Sequence, residues 1–144
     1  MAAMTTTVLG PILVEARARA TVIGALEAGR RYRFVIADVQ GWSDGAIPSD
    51  PVAGNARADA GRVLGFLFKK MAEAPFGALV GRIDGAPHSE FAVGDHLAGA
   101  DGANDFAPTV SGDLIVAFND VILDAAYADN AGTLRLSVLD VTPA

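Results

Sequence analysis

Short apolar runs that alternate with polar residues, each ending in Gly, Pro, Asp or Asn, constrain this chain most. Successive side chains of a β-strand point to opposite faces, so residues spaced by two share one face. Tyr32, Phe34 and Ile36 fall on one face of residues 31–39, with Arg31 and Arg33 on the other. Leu114, Val116 and Phe118 repeat the pattern against Asp113, Ala117 and Asn119, and Leu134, Leu136 and Val138 repeat it against Thr133, Arg135 and Ser137. Residues 8–16 are apolar and β-branched with Pro11 near the start, which predicts an edge strand, where a missing N–H is tolerated. Gly77 to Ile83 and Ser89 to Gly94 flank Asp84-Gly85, a hairpin signal. Glu27 to Arg30 reads as a turn, and residues 40–61 and 99–109 read as long loops rich in Gly, Asp and Pro. In residues 62–73, Val63, Leu64, Leu67, Phe68 and Met71 fall near helical spacing, but Gly65 and Phe66 spoil a clean helix, and helix and strand both stay open. Six or more short strands predict an all-β sandwich or barrel.

Composition narrows the chemistry. A chain of 144 residues, 51% hydrophobic and 19% charged, is the size of one ordinary domain and can bury a core. Eleven basic against seventeen acidic residues leave a net charge of −6, which argues against a nucleic-acid partner. The absence of cysteine excludes a disulfide scaffold, an iron–sulfur cluster, a thiolate zinc site and a cysteine nucleophile. With only His88 and His96, any metal is expected to be a hard cation held by oxygens. No apolar stretch is long enough for a membrane span. Met1 to Leu9 has neither a basic start nor a long apolar run, which fits a chain that is cytoplasmic or released without a cleaved signal peptide.

The densest group of oxygen ligands lies in residues 119–132. Asp120 ends one strand, and Asp129 and Asn130 lead into the next, with Gly132 free to take a positive φ. A loop that folds its ends together can bring Asp120 to Asp129 and Asn130. Calcium takes six to eight oxygens from carboxylates, amides and carbonyls, and it would relieve the repulsion between two carboxylates. The same Asp-Asn-Ala-Gly is also ordinary turn chemistry. Trp42 and Tyr127 could each present a ring to a sugar; the competing readings are a core anchor for Trp42 and loop packing for Tyr127. His88 and His96 read as exposed surface, and Arg17, Arg19, Arg30, Arg31 and Arg33 as the outer face of early strands. No nucleophile elbow, P-loop or dinucleotide fingerprint occurs, so catalysis is not expected.

Several of these segments, in order, resemble the PA-I galactophilic lectin family. Gly77-Ala78-Leu79-Val80 is similar to that family's Gly-Ala-Leu-Val strand, and Phe91-Ala92-Val93-Gly94 follows it. Ser111-Gly112-Asp113-Leu114 leads to Asn119-Asp120-Val121, and Asp129-Asn130-Ala131-Gly132-Thr133-Leu134 resembles the family's Asn-Asn-Ser-Gly-Ser-Phe. Gly41-Trp42 matches a Gly-Trp ahead of the family's first ligand loop. The resemblance spans roughly 100 of the 144 residues.

The resemblance implies a galactose-binding-like jelly-roll β-sandwich and calcium-dependent binding of galactose-type glycans without catalysis. Asp120 would be a bidentate carboxylate ligand, and Asp129 and Asn130 would take the places of paired amide ligands. Asp124 would stand near a carbonyl ligand position, and Asp44 or Gly45 would give the other carbonyl. Sugar hydroxyls would complete the shell, so Asp120, Asp129 and Asn130 would also lie at the sugar. This chain departs from the pattern in three respects. The loop from Asp120 to Asp129 is longer, so counting back from Asp129 places Ala126 rather than Asp124 at the carbonyl. Asp129 replaces an amide, and the family's histidine and glutamine sugar contacts have no counterpart in residues 43–75. The last departure leaves a second expectation, a non-catalytic assembly module of the same fold that has lost the sugar. Exposed strand edges and the high apolar fraction point toward a homo-oligomer.

Overall fold

The computed structural model describes residues 5–45, 47–55, 76–120 and 128–143. Among the described residues, eight strands form two antiparallel four-stranded sheets, which is the expected all-β sandwich. They are β1 (Thr6–Glu15), β2 (Thr21–Leu26), β3 (Tyr32–Asp44), β4 (Ile47–Pro48), β5 (Leu79–Ile83), β6 (Phe91–Ala92), β7 (Gly112–Phe118) and β8 (Asn130–Asp140). The first sheet runs β1-β8-β3-β4 and the second β2-β7-β5-β6. A 3-10 turn spans Val93–His96. No helix among the described residues is long and apolar enough to cross a membrane.

The alternating residues of β3 and β8 meet the core as expected. Tyr32 and Phe34 on β3, and Leu134, Leu136 and Val138 on β8, are buried between the sheets. They pack with Val14, Ile23, Leu26, Leu79, Ile83, Leu114, Val116 and Phe118 in one hydrophobic cluster. Each such side chain gains about 1.5–3 kcal/mol from full burial, which makes this the main force holding the sheets together. β7 departs from the alternation, because Ile115 and Ala117 are buried as well as their neighbours. Pro11 lies on an edge strand, in a register irregularity between Leu9 and Ile12 where β1 donates no ladder bond from that position.

Three expectations need correction. Residues 40–44 continue β3 instead of opening a loop, and Ile47–Pro48 then pairs back onto Ser43 and Asp44. Register shifts on either side of Gln40, with positive φ at Asp38 and Gly41, let the strand absorb residues whose composition looks like a loop. β2 carries no clean alternation because Gly24 sits at a register shift opposite β7, and it escaped the sequence reading. His96 is not simply exposed surface. Its ring is half-buried edge-on against Phe34, Phe91 and Phe106, and Nδ1 lies 2.7 Å from the Asn104 carbonyl. The Asp84-Gly85 turn does join paired strands, Val80 facing Ala92 and Gly81 facing Phe91, and Ser89 braces it through Ile83 and Ala86. Residues 62–73 lie outside the described residues.

Candidate functional site

Four buried polar or charged residues stand out among the described residues: Asp44, Asn119, Asp120 and Asn130. The topology brings them to one end of the sandwich. Asp44 ends β3 and Asn130 begins β8, and the two are direct partners across the antiparallel ladder. Directly paired residues share a face, with Cβ atoms about 4.5–5.5 Å apart. Both are buried, in step with Trp42 and Leu134, so that face is the one between the sheets. The Gly45 N–H donates to the Asp129 carbonyl at 2.8 Å, closing the same corner.

The second sheet delivers Asn119 and Asp120 to this end, just past β7. The Gly77 N–H donates to the Asn119 carbonyl at 3.0 Å, and the Asn119 N–H donates to the Ala78 carbonyl at 2.8 Å. Trp42 ties the two sheets together there. Its indole Nε1–H donates to the Gly77 carbonyl at 2.8 Å, and its ring packs on Phe118 with centroids 5.3 Å apart. Trp42 is 3% exposed, so the core-anchor reading describes it and its ring offers no face to a sugar at the surface.

The electrostatic character of this end follows from what the oxygens touch. The Asn130 Nδ2–H donates to the Ala16 carbonyl at 3.4 Å, which turns Oδ1 the other way. That Oδ1 is buried and accepts no hydrogen bond from the described residues. The Oδ2 atom of Asp120 is also buried without such a bond, while the residue itself is engaged by its surroundings. A buried acceptor left without a donor costs about 1–3 kcal/mol, which a hard cation at the Asn130 oxygen would offset. The donor types therefore fit an oxygen-loving cation. Among the described residues, no three His, Cys, Asp or Glu side chains gather into a metal-holding group. A cation drawing on these residues would add amide and carbonyl oxygens to its carboxylates.

The structure thus brings Asp120, Asn130 and Asp44, three of the residues singled out in the sequence, to one end of the fold. Asp129 differs: its carbonyl faces Gly45, but the residue is exposed. Asp124, Ala126 and Tyr127 lie outside the described residues. Asn119 was passed over as a site residue, though it is fully buried. Its signal was the polar pair Asn119-Asp120 following directly on the apolar run of β7. The arginines sit elsewhere: Arg30 pairs with Asp140 at 2.7 Å, Arg31 lies 3.7 Å from Asp105, and Arg33 also bonds Asp105.

Two facing antiparallel sheets in this arrangement make a β-sandwich. Among solved structures, the chain is similar to one described as "EclA N-terminal domain; PllA-like lectin". The two share 18% sequence identity and a TM-score of 0.54, over 92% of this chain and 97% of that one. At that identity the likeness is one of fold, coarser than the PA-I resemblance. No family model matches the chain, and no curated protein matches it.

Proposed function

We propose that this protein binds carbohydrate without catalysis, through a calcium ion held where β3 and β7 end and β8 begins. The observation that carries the reading is the buried, unbonded Oδ1 of Asn130 at the same end as the buried carboxylate of Asp120. The fold likeness to a domain described as a lectin supports the carbohydrate part. Asp120 and Asn130 would hold the ion, with Asp129 and a carbonyl from Asp44 or Gly45 beside them; Asp124 is a further candidate from the resemblance. Calcium, when bound, supplies a positive centre for sugar hydroxyls. Galactose-type glycans are the first class to try.

A glycan array read with calcium and then with chelator tests this. Binding of galactose-type glycans only with calcium, abolished in Asp120→Ala and Asn130→Ala, is the expected outcome. Calcium uptake with no glycan retained would favour the assembly-module reading, which the missing histidine and glutamine contacts already suggest. The reading includes a homo-oligomer, supported by the exposed Val8 and Leu13 on β1, Val22 on β2, and Val35 and Val39 on β3. Light scattering that gives a monomer at micromolar concentration would remove that part.

A further inference from the structure

The calcium reading leaves open which second carboxylate completes the site, and the placement of Asp44 and Asp129 differs sharply. The resemblance casts Asp129 as a side-chain ligand and gives Asp44 or Gly45 only a backbone carbonyl. The structure distributes these residues otherwise. Asp44 is 8% exposed, on the inner face of β3, and directly paired with Asn130. Asp129 is exposed, one residue outside β8, and turns its carbonyl to Gly45.

We infer that the carboxylate of Asp44, rather than that of Asp129, joins Asp120 and the Asn130 amide oxygen around the cation. The inference rests on the calcium reading above and changes its ligand set. Three observations support it. Direct antiparallel partners on a buried face hold their side chains within reach of one ion. The Asn130 amide is turned by the Ala16 carbonyl so that it has an unbonded buried oxygen on that corner. Gly132 locks the pairing, because β8 approaches β3 so closely there that a Cβ would lie 2.4 Å from the Gly41 backbone. Two carboxylates and an amide, completed by carbonyl and water or sugar oxygens, make a donor set suited to calcium.

The test is calcium titration by calorimetry of the wild-type chain, Asp44→Asn and Asp129→Asn. Terbium luminescence provides a local readout, since Trp42 is the only tryptophan and lies two residues from Asp44. Asp44→Asn is expected to weaken binding by about tenfold or more and to dim sensitised terbium, while Asp129→Asn changes affinity by less than about threefold. Wild-type affinity in Asp44→Asn would mean that only its carbonyl takes part and would overturn the inference. A loss in Asp129→Asn equal to or larger than that in Asp44→Asn would overturn it too. If Asp44→Asn fails to fold in chelator, Asp44→Ser takes its place and the Asp129→Asn result decides. A wild-type chain that takes up no calcium would sink the calcium reading itself, an outcome distinct from any difference between the two variants.

Discussion

At the residue scale, the close contact of β8 with β3 depends on Gly132. Its φ is +98°, and a Cβ there would fall 2.4 Å from the carbon and oxygen of Gly41 and the nitrogen of Trp42. An L-residue meets both backbone strain and a backbone clash that no side-chain rotation relieves. Gly132→Ala is therefore expected to lose about 2–4 kcal/mol in urea unfolding and to weaken calcium uptake, because it separates Asp44 from Asn130. Wild-type stability in that variant would show that the approach is looser than described. Trp42→Phe tests the tie between sheets. It keeps most of the ring contact with Phe118 but leaves the Gly77 carbonyl without its donor, at an expected cost of about 1–3 kcal/mol by the same measurement. The sequence made Gly132 legible as a residue suited to positive φ, but what it lies against depends on a strand some ninety positions earlier.

At the scale of elements, β3 and β8 show where pattern reading succeeds and where it stops. Tyr32 to Ile36 and Leu134 to Val138 alternate because one face of each strand is buried, so their apolar period could be read directly. Asp38 to Asp44 could not be read this way. The register shifts around Gln40 break the period of two, so residues that look like a loop remain in the sheet. β2 was hidden by the same physics at Gly24. The far end of this strand pair carries a pH-dependent contact. Burial pushes the Asp140 carboxyl up, but Thr142 through its hydroxyl and backbone N–H, and then Arg30, more than offset this and hold it below the usual carboxylate range. The Asp140 hydrogen bond chiefly raises the Arg30 guanidinium. A depressed carboxyl contributes stability that is present above its unfolded value, near pH 3.9, and is lost as pH falls through the lower folded value. Acid titration of Asp140→Asn should therefore show a shallower loss of stability below about pH 4 than the wild-type chain. Superimposable acid limbs would count against the role of this contact.

For the whole molecule, the −6 charge and the buried polar end have one shared consequence. A cation that binds only the native state stabilises it by about 2.7 kcal/mol when its concentration is a hundred times Kd. With an unfolding entropy of about 2.1 cal/mol/K per residue, that corresponds to a rise in Tm of about 9 °C for this chain. Calorimetric melting in calcium and then in chelator should show a rise of this order, absent in Asn130→Ala. Equal melting temperatures at millimolar calcium would remove the cation from the account.

Composition and strand period determined the class of this protein, because burying one face of each short strand leaves a sandwich or barrel as the way to cover them. The lack of cysteine and the scarcity of histidine determined that any metal chemistry would be hard and oxygen-based. Only the tertiary structure decided which oxygens share a corner. Asp44 and Asn130 are 86 positions apart in the chain, and it is the register of β3 against β8 that makes them neighbours. Asp129 and Asn130 are adjacent in the chain, yet one is exposed and the other buried, because successive residues entering a strand face opposite ways.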